Sequence, residues 1–343
     1  MSRRYLSKNY KGLGSAGNKA KTDIETILEK LGYKNAGLKQ TSYNSKVLGF
    51  LITLLGVLKV PFSLKRGDVL VLQYPLKKYF AFVCNMAHMR GCKVVTIIHD
   101  LGTFRRRKLT IEQEIKRLDH SDYIIAHNKS MKEWLINNGI RAMVGELEIF
   151  DYLSTVEAPS QKVVSLPYSV VYAGALTRKK NAFLYELDKY ISDYRFSLYG
   201  GGFDLNEIQN KEYFTYNGFV PSDELIKNIN GDFGLVWDGD SIVTCIGSCG
   251  EYLALNNPHK TSLYIRCMIP IIIWDKAALA PFVKENGIGI CIDSLKNLDK
   301  VLSEISAEEY QEMRKNITVI KDRISSGYYA GKAIEEAYKV LTE

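Results

Sequence analysis

Asn256-Asn257-Pro258-His259-Lys260-Thr261-Ser262-Leu263, running on to Ile269-Pro270-Ile271-Ile272-Ile273-Trp274, reads as a helix start that feeds a buried strand. Asn257 suits the N-cap and Pro258 the first helical position, where its missing N–H costs nothing. Backbone N–H groups then point out of that end, and Lys260 in the first turn adds a mobile positive charge beside the positive end of the helix dipole. Such an end holds a phosphate or diphosphate. The same eight residues also describe an ordinary capped surface helix, so the rest of the chain has to decide.

The helix-to-strand step recurs on both sides of this stretch. In the second half, strands are expected at 169–174, 195–200, 233–237 and 269–274, with helices at 183–191, 222–228, 260–266 and 278–285. The first half shows the same alternation. Its strands are expected at 4–7, 68–73, 93–98 and 123–126, with a helix carrying Ala20, Ile24, Ile27, Leu28 and Leu31 on one face and another at 77–90. Near-continuous apolar strands of this length are those of a parallel sheet covered on both faces. Between the halves, 153–167 mixes Ser, Thr, Glu, Ala, Pro and Lys without periodicity, as a linker does. The expected organisation is therefore α/β, with two Rossmann-like doubly wound domains facing a cleft: residues 1–153, a linker at 154–167, and residues 168–325. A last helix, 326–343, has Ala330, Ile334, Ala337 and Leu341 on one face and can pack back on the first domain.

With 343 residues and 46% apolar content, the chain is long enough for two cores. Its longest apolar run, 47–58, is shorter than the ~20 residues of a spanning helix and suits a core or interfacial helix. The first residues lack the apolar run of a secretion signal, and six cysteines without a C-x-x-C pair suit reduced thiols. A cytoplasmic protein is expected. Residues 1–150 carry 26 Lys and Arg against 12 Asp and Glu, and the remainder 20 against 26. The basic first half suits an anionic partner, a phosphorylated substrate or a lipid surface. Nucleic acid is not favoured, because the basic residues are scattered and no recognised binding motif is present.

In doubly wound sheets, ligands bind outside the carboxyl ends of the strands. Those ends read Tyr172-Ala173-Gly174, Tyr199-Gly200-Gly201-Gly202 and Trp237-Asp238-Gly239-Asp240, followed by the helix start at Asn257. Glycine there lets a ligand approach the backbone. In the first half, Gly12-Leu13-Gly14-Ser15-Ala16-Gly17 spells G-x-G-x-x-G between a strand and a helix. A dinucleotide site would need an acid about 20 residues on, yet 31–53 contain no Asp or Glu. NAD is thereby disfavoured, and Lys34 or Lys39 leaves an NADP-dependent reductase as a rival reading. The loop otherwise serves as a plain β–α turn, or borders a sugar or phosphate through Gly14 and Ser15.

These strand ends, with Gly218-Phe219-Val220-Pro221, Gln73-Tyr74-Pro75, Ile98-His99-Asp100-Leu101 and above all Asn256-Asn257-Pro258-His259-Lys260-Thr261-Ser262-Leu263-Tyr264, resemble bacterial GT-B glycosyltransferases. Within that group the likeness is to β-1,6-galactofuranosyltransferases and to the glucosyltransferases that extend glycans on serine-rich-repeat adhesins. The chain departs from the pattern at Arg266-Cys267-Met268-Ile269-Pro270, where relatives often have small residues. The resemblance implies a UDP-sugar donor held mainly by the second domain, a sugar acceptor held mainly by the first, and no cofactor.

On that reading Lys260, with the N–H groups of its helix and the neighbouring Asn257 and Thr261, neutralises the leaving diphosphate without a metal. Arg178 adds a second cation or is a solvated residue of Arg178-Lys179-Lys180. Asp238-Gly239-Asp240 spells the D-x-D of metal-dependent transferases, but no metal is expected here. Tyr172, Gly174, Gly200 and Gly201 line the donor, and Tyr199 and Val220 face the base. Asp100 or His99 is the candidate general base, with a turn role for Asp100 and a packed role for His99 as the alternatives. Arg105, Arg106, Arg107 and Lys108 either form a solvated patch or hold a lipid-linked diphosphate or the anionic inner face of the cell membrane. A homo-oligomer and a non-catalytic sugar-nucleotide-binding subunit stay open.

Overall fold

A computed structural model describes residues 2–7, 16–39, 45–76, 79–105, 107–159 and 166–343. The chain divides into two compact units, Met1–Asp151 with Gly327–Glu343, and Tyr152–Ser326.

The first unit runs β1 (Arg3–Tyr5), α1 (Ala16–Lys30), β2 (Lys34–Asn35), α2 (Lys46–Ser63), β3 (Val69–Tyr74), α3 (Phe80–Met89), β4 (Lys93–Ile98), α4 (Gly102–Arg105), α5 (Ile111–Leu118), β5 (Tyr123–Ala126), α6 (Lys129–Asn137) and β6 (Met143–Glu146). Its six strands are all parallel, in the order β2-β1-β3-β4-β5-β6. Every residue of β3 and β5 is buried, and all of β4 but Lys93, as their Val, Leu and Ile content requires of strands covered on both faces. Right-handed crossovers put α1 on one face and α2 and α3 on the other. In keeping with this, α2 packs against α3. The order reverses between β1 and β3. That switch point places the loop after β1 at the carboxyl edge, where such sheets take ligands. Gly14 and Ser15 of that loop lie outside the described residues.

The second unit runs β7 (Val170–Ala173), α7 (Phe183–Glu186), β8 (Phe196–Tyr199), β9 (Phe214–Tyr216), α8 (Ser222–Asn228), β10 (Phe233–Val236), α9 (Gly247–Gly250), α10 (His259–Arg266), β11 (Ile271–Trp274), α11 (Ala280–Glu285), β12 (Gly289–Ile292), α12 (Leu298–Ser303) and α13 (Ala307–Ser326). Its strands are again all parallel, ordered β12-β11-β10-β7-β8-β9. The reversal here lies between β7 and β10. The expected helix at 183–191 is shorter, α7 followed by a 3-10 turn over Leu187–Lys189.

The last helix, α14 (Tyr328–Thr342), belongs to the first unit and packs on β4, β5, β6 and α1. It buries Tyr329, Ala330, Ala333, Ile334 and Ala337. Gly327 turns the chain into it at φ 86°, close on Ile27 of α1, where a Cβ would lie 2.6 Å from that side chain. The first-turn N–H groups of Tyr329 and Ala330 donate to the Asp151 carboxylate at 3.2 and 2.7 Å. Burial pushes the Asp151 carboxyl up to about 7 against those two bonds, with Asp23 adding repulsion.

Part of the expected linker is fixed rather than loose. Arg266, fully buried at the end of α10, donates to Val156 O at 2.5 Å, Ser154 O at 3.3 Å and Ser325 Oγ at 2.5 Å, and pairs with Glu157 at 3.3 Å. Arg266 thus anchors the start of the second unit to α13. All six cysteines are free.

Candidate active site

The switch point of the second unit is shaped by glycines that no other residue could replace without moving backbone. At the end of β8, Gly200 has φ 141°, and a Cβ there would stand 1.7 Å from Gly174 O at the end of β7. The two strand ends therefore touch through main chain alone. After β10, Gly239 turns at φ 113°, where a Cβ would meet Ile246 O at 2.1 Å. Asn181, fully buried, ties the two sides of the reversal together. Its Nδ2 donates to Ala175 O at 2.6 Å, beyond β7, and its Oδ1 accepts from Gly239 N at 3.2 Å, beyond β10.

Helix α10 is stitched onto the same two strands by Tyr264, whose hydroxyl accepts from Ala173 N at 2.8 Å and donates to Leu235 O at 3.2 Å. Gly234 leaves room for its ring, since a Cβ would come within 2.3 Å of it. One turn earlier on the same helical face stands Lys260. Fixing Tyr264 therefore aims Lys260 at the strand ends. The helix begins one residue later than the sequence suggests: Pro258, with extended backbone, is the N-cap, and Asn257 lies buried before it.

Lys260 is not the mobile charge expected of a first-turn lysine. Its Nζ donates to Tyr172 Oη at 2.7 Å, Asp238 Oδ1 at 2.8 Å and Trp237 O at 3.3 Å, which accounts for all three of its hydrogens. Tyr172 in turn donates to Asp238 Oδ1 at 2.5 Å. Lys180 Nζ approaches the same carboxylate oxygen at 3.8 Å. Burial would raise the Asp238 carboxyl, but Lys180, Lys260 and the Tyr172 hydroxyl together hold it down at about 2. Burial pulls Lys260 down to about 8, with repulsion from Lys180 on the same side and attraction to Asp238 against. Burial and Asp238 keep Tyr172 neutral, its pKa raised well above the usual value. Two lysines and one carboxylate leave the cluster with a net charge of +1. Nearby on the chain, Thr261 Oγ1 and Asn256 Oδ1 are shut off from solvent and have no hydrogen-bond partner among the described residues.

Of the other expected donor residues, Gly174, Gly200 and Gly201 lie at the ends of β7 and β8, and Val220 is half-buried before α8. Two do not join the cluster. Arg178 lies over the Tyr185 ring at 4.2 Å and pairs with Glu207, half exposed. Tyr199 is buried, its hydroxyl accepting from Asn230 N at 3.2 Å, so it packs under the sheet edge rather than presenting a face to a base. Asp240 is exposed, and among the described residues no group of three or more His, Cys, Asp or Glu side chains is disposed to hold a metal. Lys180 joins the cluster, and Asn181 and Tyr264 hold the strand ends around it, in roles that no local pattern marks.

In the first unit, His99 and Asp100 stand at the end of β4. His99 is buried, with Nε2 2.7 Å from Gln73 Oε1 and its ring stacked on Phe150 at 5.5 Å. The His127 ring meets the same Phe150 edge-on at 4.9 Å. Asp100 is half-buried beside them. Arg107 and Lys108 are exposed, Arg107 at φ 44°. Arg106 and the Arg105 side chain lie outside the described set.

Two family models match almost the entire chain: glucosyltransferase 3-like, N-terminal domain, over residues 3–149, and glucosyltransferase 3-like, C-terminal domain, over 170–337. The chain is 32% identical over 324 residues to the β-1,6-galactofuranosyltransferase WbbI of Escherichia coli, covering 94% of each. It is 24% identical over 285 residues to glucosyltransferase 3 of Streptococcus gordonii, covering 80% of each. Among solved structures, the fold resembles the lipopolysaccharide outer core galactosyltransferase WaaB, with a TM-score of 0.63 over 99% of both chains at 14% identity.

Proposed function

Since the chain belongs to the glucosyltransferase 3-like family of GT-B glycosyltransferases, we propose that it moves a hexosyl group, galactofuranose or glucose, from a UDP-sugar to a sugar acceptor in building a bacterial surface glycan. The observation that carries the donor assignment is the Lys260–Asp238–Tyr172–Lys180 cluster at the switch point of the second unit. Its net positive charge, buried and held in place, suits a leaving diphosphate whose negative charge grows as the glycosidic bond breaks. Fixed cations need no reorganisation when that charge appears. The N–H groups at the start of α10 add to them, and the Thr261 hydroxyl offers a donor still to be satisfied. On this reading the leaving group is stabilised by protein charge, without a metal. The names of the relatives from Escherichia coli and Streptococcus gordonii support galactofuranose and glucose respectively.

Asp100 is the proposed general base for the acceptor hydroxyl. His99, its ring held by Gln73 and Phe150, borders it. Membership of this family removes the support for an NADP-dependent reductase or a non-catalytic subunit. The deciding experiment titrates the protein with UDP, UDP-galactofuranose, UDP-glucose and NADPH by thermal shift and calorimetry, then measures transfer. Stabilisation by UDP and the UDP-sugars, and none by NADPH, is expected. NADPH binding, or UDP affinity unchanged in Lys260→Ala, would overturn the reading.

A further inference from the structure

Helix α2 is built inside out. Toward its own unit it turns the buried Gly49, Gly56, Val57 and Val60, and the chain at Gly37 passes so close that a Cβ there would lie 3.2 Å from Gly56 O. Away from it stand Val47, Leu51, Leu55, Leu58 and Phe62, spaced four, four, three and four residues apart and between 46% and 88% exposed. That spacing puts all five on one helical face. Soluble domains seldom leave a large-residue stripe in water while burying glycines behind it. Beside α2, the packed α3 adds exposed Phe82 and Met89, seven residues apart.

The charge along the chain that carries this face has one sign. From residue 31 to 67 the chain carries Lys34, Lys39, Lys46, Lys59, Lys65 and Arg66 and no Asp or Glu. The described side chains among them, Lys34, Lys39, Lys59, Lys65 and Arg66, are exposed. We infer that α2 lies in the plane of an anionic lipid bilayer, its apolar stripe among the acyl chains and its lysines among the headgroup phosphates. A two-fold contact between copies would set the patch against itself, cation against cation, with no acid from residues 31–67 to compensate. Nor is the helix a span, for no helix among the described residues is long and apolar enough to cross a membrane. The basic run 105–108, the other candidate for an anionic lipid, accompanies only the four-residue α4. The inference does not depend on which sugar nucleotide the second unit holds.

The test sediments the full chain with vesicles of phosphatidylcholine, alone or mixed with phosphatidylglycerol. Binding to the mixed vesicles only, weakened by salt, is expected. Leu55→Gln/Phe62→Gln should abolish it with the melting temperature and the affinity for UDP unchanged. Lys59→Gln/Lys65→Gln should weaken it about five-fold per lysine and carries the test if the first variant misfolds. Arg107→Gln/Lys108→Gln should bind as the wild type does. Binding that survives the loss of Leu55 and Phe62, binding lost with Arg107 and Lys108, no binding to mixed vesicles, or a wild-type dimer that Leu55→Gln/Phe62→Gln makes monomeric would each overturn the inference.

Discussion

Lys260 Nζ stands 2.8 Å from Asp238 Oδ1, a contact between two side chains each about nine-tenths buried. The cation that α10 brings to the end of β7 is therefore fixed before any ligand arrives. Lys260→Ala is expected to weaken UDP binding and transfer about a hundredfold or more, as losing one side of a buried charged hydrogen bond does. Calorimetry with UDP measures it. Asp238→Asn goes the other way in charge but is also harmful, because Lys260 and Lys180 are left facing each other. A loss of about 3 kcal/mol in urea-unfolding stability is expected.

Because burial draws the Lys260 ammonium down to about 8, it begins to lose its proton within the range in which the protein can be assayed. A diphosphate needs the charged form. UDP affinity should be flat below about pH 8 and fall above it, toward tenfold per pH unit, while Lys260→Arg shifts the fall upward. Stability runs in the opposite sense, since between about 8 and 10.5 the unfolded lysine binds more protons than the folded one. Asp238, held at about 2, contributes stability that is present above its unfolded value near 3.8 and is lost as pH falls through 2.

Gly200→Ala tests the main-chain contact between β7 and β8. The new Cβ would sit 1.7 Å from Gly174 O at a φ that side chains seldom adopt. Strain of about 2 kcal/mol and a loss of UDP affinity are expected, because the strand ends must part. Gly201→Ala, with no atom within 4 Å of its new Cβ, is the matched control and should be far milder.

Asp151 gives a prediction remote from the site. Its carboxyl is pushed up to about 7 while accepting from the first turn of α14, so the folded state binds the extra proton between about pH 4 and 7. Stability should fall as pH rises across that window. Asp151→Asn keeps an acceptor and should flatten the slope, whereas Asp151→Ala should flatten it too and lie about 1 kcal/mol below Asp151→Asn at every pH. Thermal melts from pH 4 to 8 would separate the two.

The alternation of apolar strands and amphipathic helices made the two sheets legible, since β3, β4, β7 and β11 are buried on both faces and carry that burial in their composition. The edge strands β2, β6, β9 and β12 were not legible, being short and mixed with exposed residues such as Lys34, Met143 and Tyr216. Lys260 stood out because a proline and a helix start mark it locally. Lys180 did not, for Arg178-Lys179-Lys180 reads as a solvated run until β7 and β10 are known to be neighbours. Asp238 was read as half of a D-x-D, yet its partners are 58 and 66 residues away toward the amino terminus and 22 the other way. Strand order, which no local pattern encodes, decides those meetings. Tyr199 shows the same limit at one residue, where the side chain's direction settled what its β-favouring character could not.

The return of Gly327–Glu343 to the first unit also bears on synthesis. Residues 1–151 leave the ribosome first, but the apolar surface of β4 to β6 that α14 covers stays open until the whole second unit has been made. The amino-terminal domain is thus the last to close. A nascent chain stalled before residue 327 would carry a bare patch and an Asp151 carboxylate without its two N–H donors, the kind of surface that chaperones hold and proteases find.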